Sequence, residues 1–249
     1  MEEAKKRTLY VGAHPDDVFI SSAISIRRNP RTSCVLTVAT GVSCEEYPAE
    51  FFGMRFDSKE DFVLTRIGED IAAMDLLGVD TERNYFNFQV ENEQTFQHIG
   101  EIVDGIKRLI VDGNIKRVVT HEFPQAHPDH EVVSFCAHKA GKDLGVEVWE
   151  YPMYCFIGDR QIDLQFLSDG HRKSRTFIYT GEEKEARGIA VRTYASQEFI
   201  VDRFNRDFEV FGQIDRDFAK MPDTKYFYGD IPGRPTPKEI RDAIATYRK

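Results

Sequence analysis

Two short strings in this 249-residue chain carry side chains suited to metal-assisted hydrolysis: Ala13-His14-Pro15-Asp16-Asp17 and His127-Pro128-Asp129-His130. Each sets imidazole and carboxylate beside a proline, just after a run of strand-forming residues. A catalytic zinc takes about three N/O protein ligands and keeps one position for water. His14, one aspartate of the pair and His130 would supply that set. Bound metal lowers the pKa of water, and a nearby carboxylate removes the proton as water attacks. Successive residues at a helix start diverge by about 100°. Asp16 and Asp17 can therefore divide ligation and proton transfer, in either order. His127 and His130 are three apart and can share a helix face. One can ligate while the other stabilises an oxyanion or protonates a leaving group. Asp129 is suited to orient an imidazole through a hydrogen bond. Taken singly, an Asp-Asp pair is a helix cap and His-Pro-Asp a turn; their conjunction points to catalysis. His98, His138 and His171 lack such company and read as structural or surface residues. His121, beside Glu122, reads as structural, with support of a ligand as its minor role.

The elements that must position these strings alternate between strand and helix. Strands are expected at residues 9–13, 34–39, 84–88, 116–120 and 146–149. Helices are expected at 17–28, 59–77, 96–111 and 129–143. The run Cys34-Val35-Leu36-Thr37-Val38-Ala39 is continuous, as for a strand buried on both faces. Gly78 stands where a helix C-cap glycine would. Such alternation implies βαβ crossovers, hence an α/β, Rossmann-like, mostly parallel sheet flanked by helices. Ligands of such sheets gather outside the carboxyl ends of strands. His14 leaves the first strand and His127 follows the fourth, so both strings are expected at one edge. Beyond these, residues 176–179 read as an added strand, 182–194 and 199–211 as helices, and 238 onward as a short helix. No linker or repeat divides the chain, so residues 1–249 are expected to form a single domain.

Composition narrows the partners. Apolar residues make up 41% and charged ones 30%, enough for an ordinary buried core. The net charge of −9 leaves no basic face for phosphates, which argues against nucleic acid as partner. No stretch approaches the ~20 apolar residues that span a bilayer. The start of the chain shows no apolar leader region, so a cytoplasmic protein is expected. Cys34, Cys44, Cys136 and Cys155 form no C-x-x-C pair and are expected reduced. A homo-oligomer is compatible with all of this.

Taken together, these strings resemble the PIG-L/LmbE-like zinc-dependent N-deacetylases, which remove acetyl groups from N-acetylglucosamine-containing substrates. Arg66-Ile67-Gly68-Glu69 followed by Leu77-Gly78 resembles that family's Arg-x-x-Glu…Leu-Gly helix. Lys184 with Tyr194-Ala195-Ser196-Gln197 resembles its closing segment. The matches run in family order over about residues 8–197, leaving 198–249 as a C-terminal extension. The resemblance implies an LmbE-like fold, with His14, Asp17 and His130 as zinc ligands and Asp16 as the base that activates water. It also implies His127 as the group assisting the tetrahedral intermediate, Asp129 orienting it, and Arg66 contacting sugar hydroxyls. Fe2+ or Mn2+ can fill a similar N/O site.

The chain departs from the family after the paired aspartates. Val18-Phe19-Ile20-Ser21-Ser22-Ala23 replaces an acidic residue and a glycine-rich run, and Phe88-Gln89-Val90-Glu91-Asn92 replaces an aspartate-bearing loop. Both departures read as altered pocket walls, which bears on substrate more than on reaction. Tyr47, Phe51, Phe52, Phe56 and Tyr226-Phe227-Tyr228 are expected in core or loop packing, with sugar stacking the lesser reading. The expected activity is N-acetyl hydrolysis on an amino sugar or glycoconjugate. The alternatives are an amidase on another N-acyl conjugate and a non-catalytic sugar- or nucleotide-binding protein. Against the last, no G-x-G-x-x-G follows the first strand and no P-loop occurs.

Overall fold

A computed structural model of the chain describes residues 6–42, 50–51, 54–167, 171–220, 225–226 and 232–248, with backbone alone at 50–51. In chain order the elements are β1 (Thr8–Gly12), α1 (Asp17–Arg28), β2 (Ser33–Ala39), β3 (Glu50–Phe51), β4 (Met54–Arg55), α2 (Lys59–Leu76), α3 (Thr81–Asn84), β5 (Tyr85–Val90), α4 (Ile99–Asp112) and β6 (Arg117–His121). There follow α5 (Pro128–Leu144), β7 (Glu147–Tyr151), β8 (Tyr154–Ile157), β9 (Arg160–Asp163), β10 (Lys173–Ile178), α6 (Gly181–Val191), α7 (Glu198–Arg203), β11 (Phe208–Gln213) and α8 (Pro237–Tyr247).

Seven strands form the main sheet in the order β10-β11-β7-β6-β1-β2-β5. The five from β7 to β5 pair in parallel, while β11 pairs antiparallel with both β10 and β7. Every residue of β1 and β2 is buried, which explains their unbroken apolar character. Alternation along β1 sends Leu9 and Val11 to one face and Tyr10 to the other. The first face packs against Ile102, Val103 and Ile106 of α4, Val132 and Val133 of α5, and Ile240 and Ile244 of α8. The second packs against Phe19, Ala23 and Ile26 of α1, Met74 of α2 and Ala190 of α6. The result is the mostly parallel, helix-flanked α/β fold that the alternation predicts.

One element differs in kind. Residues 199–211 are not a single helix: α7 ends at Arg203 and Phe208–Gln213 is strand β11. Val201, Phe204, Phe208 and Phe211 fall at helical spacing, but the gap between β10 and β7 offers backbone hydrogen bonds on both sides, and that pairing prevails. Glu209 is buried there, accepting hydrogen bonds from Ile24 N (2.6 Å), Ser25 N (3.0 Å) and Tyr179 OH (3.1 Å). Residues 198–249, expected as an extension, thus supply an internal strand and a core helix.

Cys34, Cys136 and Cys155 are free and buried, while Cys44 lies outside the described residues, as do Tyr47, Phe52, Phe227 and Tyr228. Phe56 packs on Phe62 at 4.4 Å between ring centroids, and Tyr226 is buried with its hydroxyl on Glu131. Val18, Phe19, Ile20 and Ala23 are core residues, so that departure from the family changes packing beneath the site rather than a pocket wall.

Candidate active site

The two strings meet at the carboxyl ends of β1 and β6. Gly12 closes β1, and a Cβ there would stand 3.0 Å from both Asp17 Cβ and Val18 Cγ2, so glycine permits the close approach of α1. Asp16 follows with φ 130°, a region costly for a residue with a side chain, and stands at the N-cap position of α1 with its side chain making no capping hydrogen bond. The second string opens α5: His127 is its N-cap, its Nδ1 accepting Asp129 N at 3.2 Å, with Pro128 at the first helical position.

Three donor atoms converge. His14 Nδ1 lies 3.7 Å from Asp17 Oδ2 and 3.3 Å from His130 Nε2, and the latter lies 3.5 Å from Asp17 Oδ2. Ligands on a tetrahedral ion with bonds of about 2.0–2.2 Å stand roughly 3.3–3.5 Å apart, so the set fits a divalent cation of zinc's size. All three side chains are buried. Burial would push Asp17 up, but His130, His121 and His14 more than offset it and hold the carboxyl well below its usual range. Burial and the surrounding histidines likewise keep His130 neutral despite Asp17. Lone pairs directed at one point repel, and a cation relieves that repulsion.

Asp129 was expected to orient His127, and the structure gives its carboxylate other partners. Oδ2 accepts from His14 Nε2 (3.1 Å) and Glu93 N (2.7 Å), and Oδ1 from Thr95 Oγ1 (2.6 Å). It stands 4.0 Å from His127 Nδ1. Taking the His14 Nε2 proton leaves the Nδ1 lone pair facing the centre, the arrangement usual for a metal-bound histidine. Asp129 N–H on His127 Nδ1 in turn leaves the His127 proton on Nε2. Burial and His14 pull the His127 imidazole down to about 3, so it is a neutral donor.

Arg66 is held by three acceptors. It is only 5% exposed and donates through Nη2 to Pro15 O (3.1 Å) and Asp16 Oδ2 (3.2 Å), and through Nη1 to Gly41 O. A guanidinium so engaged holds the Asp16 carboxylate in place. Gly41, at φ +70°, leaves room for it, since a Cβ there would overlap the guanidinium. Burial pushes Asp16 up to about 7, with Arg66 opposing and Asp17 adding to the rise.

A family model described as PIG-L, GlcNAc-PI de-N-acetylase, matches residues 9–141 and so spans both strings. The chain belongs to the GlcNAc-PI de-N-acetylase (PIG-L) family. Nothing among curated proteins matches it. Solved structures do: a deacetylase triple mutant (Orf2*T) of the teicoplanin biosynthetic pathway has TM-score 0.65 and 23% identity over 85% of this chain and 98% of that one. The zinc inhibited form of teicoplanin deacetylase Orf2 has TM-score 0.63 and 20% identity over the same shares, 85% and 98%. N,N'-diacetylchitobiose deacetylase from Pyrococcus horikoshii has TM-score 0.54 and 14% identity over 77% and 70%. At these identities the likeness is one of fold.

The other segments that resemble PIG-L motifs have structural partners of their own. Glu69, on α2 with Arg66, accepts from Ser196 N (2.8 Å) and Ser196 Oγ (2.6 Å), tying α2 to the turn before α7. Its neighbour Asp70 takes the hydroxyls of Tyr85 (2.8 Å) and Tyr194. Lys184 pairs with Asp207 at the surface. His98 and His138 pair with Glu101 and Glu150, away from the centre.

His121 carries more of the site than its sequence context indicates. It is fully buried, its Nε2 accepts Ala13 N at 3.0 Å and lies 3.3 Å from Asp17 Oδ2, and its ring stacks on His130 at 4.1 Å. It packs under the His130 ring and ties the end of β1 to β6 through Ala13 N, with Asp17 beside it. Glu93 and Thr95, which hold Asp129, had no signal in the sequence, because one acts through its backbone N–H and the other is an ordinary loop threonine.

Proposed function

We propose that the chain is a divalent-metal-dependent hydrolase that removes an N-acetyl group from an amino sugar or a GlcNAc-containing glycoconjugate, acting in the cytoplasm. The observation that carries this reading is the convergence of His14 Nδ1, Asp17 Oδ2 and His130 Nε2 within 3.3–3.7 Å, with the Asp16 carboxylate near enough to interact electrostatically with Asp17 and His14. PIG-L membership and the N-acetyl substrates named for deacetylases of the same fold support the substrate class. Among the described residues no helix is long and apolar enough to cross a membrane.

His14, Asp17 and His130 would hold the ion, zinc in the leading version and Fe2+ or Mn2+ in others. When bound, such an ion polarises the amide carbonyl and lowers the pKa of water. Asp16 takes the proton of the attacking water as its oxygen bonds to the acetyl carbon. Arg66 keeps that carboxylate turned toward the centre. His127 donates its Nε2–H to the carbonyl oxygen as charge grows there. Asp16 returns its proton to the nitrogen as the C–N bond breaks, releasing the free amine and acetic acid, whose proton then passes to the amine, so no proton is gained or lost.

The test is acetate release from N-acetylglucosamine-containing substrates by metal-replete protein. Asp16→Asn is expected to lower kcat by about 10²–10⁴-fold with metal retained; an unchanged rate removes Asp16 as the base. The altered segment Phe88–Asn92 leading to Glu93 favours one second reading, an amidase on another N-acyl conjugate. A substrate panel scored by released acid separates the two. Absence of any bound divalent ion after metal supplementation would instead leave a non-catalytic binding protein.

A further inference from the structure

A cavity of about 230 Å³ opens at the end of the sheet opposite the catalytic centre, between the last turn of α1 and strands β6, β7, β10 and β11. Arg117, which lines it, is the first residue of β6, whereas His121 is the last. The strand rise of about 3.3 Å per residue separates the two by roughly 13 Å.

The lining is unusual for a chain of net charge −9: it contains Arg28, Arg117 and Arg175 and no carboxylate. Arg117 and Arg175 each approach the Trp149 ring to 5.3 Å from its centroid, and Arg28 lies 5.5 Å from the Phe177 ring. Glu147 and Glu183, which pair with Arg117 and Arg28, lie outside the lining. Trp149 is 3% exposed, and its indole Nε1 has no hydrogen-bond partner among the described residues. A buried indole N–H ordinarily finds an acceptor. Guanidiniums over an aromatic ring, a spare N–H donor and apolar walls together make a receptor for a flat anion.

We infer that this cavity binds a small aromatic anion, of the class of aryl phosphates and aryl carboxylates. Arg117 and Arg175 take the charge, Trp149 Nε1–H donates to an acceptor on the ligand, and the edge-to-face pair of Phe177 and Phe211, 5.8 Å between ring centroids, forms one apolar wall against the ligand ring. The site does not depend on the hydrolase reading, and its test uses no turnover.

Trp149 is the chain's one tryptophan, so its emission reports on this cavity alone. Full-length protein is titrated with phenyl phosphate, with inorganic phosphate and benzyl alcohol as the separated halves. A saturable change with phenyl phosphate, at least ~10-fold tighter than with either half, is expected. Arg175→Gln should weaken it by ~10-fold or more. Trp149→Phe, followed by calorimetry, keeps the ring, removes the N–H and should weaken binding ~3- to 10-fold. No saturable change up to millimolar phenyl phosphate would overturn the inference. So would equal binding of benzyl alcohol, or an unchanged midpoint in Arg175→Gln whose circular dichroism matches the parent.

Discussion

The His14 imidazole and the Asp129 carboxylate, 115 positions apart, meet at 3.1 Å with both side chains buried. This contact joins the first string to the second. It decides which nitrogen of His14 faces the centre, and Glu93 N and Thr95 Oγ1 hold the carboxylate in turn.

Asp129→Asn should therefore act through His14. The amide can offer an NH2 where a carbonyl-type acceptor is needed, and the imidazole loses a charged partner. Partners of this kind are worth about 10–100-fold in metal affinity. A chelator competition should show a loss of that size, and unchanged affinity would mean that the His14 contact does not set the donor nitrogen.

Arg66 distinguishes positioning from substrate contact. Arg66→Met leaves Asp16 buried without its cation, so kcat should fall by ~10-fold or more while KM changes little. A sugar-contacting arginine would chiefly raise KM. Steady-state acetate release at several substrate concentrations reads the split. Rescue by Arg66→Lys should be partial, because a single ammonium cannot reach Pro15 O, Gly41 O and Asp16 together.

Glu122 sets a pH dependence of stability. Burial and the neighbouring Glu150 push its carboxyl from 4.5 up to about 8, against the pull of Arg216. The folded chain then keeps a proton that the unfolded chain releases. Its contribution is fully present below about pH 4.5 and is lost as pH rises toward about 8. At about 1.4 kcal/mol per pKa unit the change across that window is a few kcal/mol. Glu122→Gln should leave the melting midpoint near that of the parent at pH 5 and raise it relative to the parent at pH 8. Parallel midpoints across the window would mean that Glu122 ionises normally.

Much of this was legible in the residues. The continuous run in β2 and the alternation of strands with periodic helices require a sheet covered on both faces, since only that buries them. Proline beside His14 and His127 ends each string at a strand exit, and histidine with aspartate there restricts the chemistry to ligation and proton transfer. Local spacing misled where a partner strand was available, as at Phe208–Gln213, because ladder hydrogen bonds outweigh a helical period in so short a segment.

The sequence by itself determined the kinds of donor atom, their order and the edge of the sheet at which they stand. Those follow from side-chain chemistry and backbone periodicity, which are local. Tertiary structure alone decided that Asp129 serves His14, that Arg66 is buried against Asp16 and that His121 lies beneath the centre. Such pairings depend on angles and distances between elements far apart in the chain, and no local pattern encodes them.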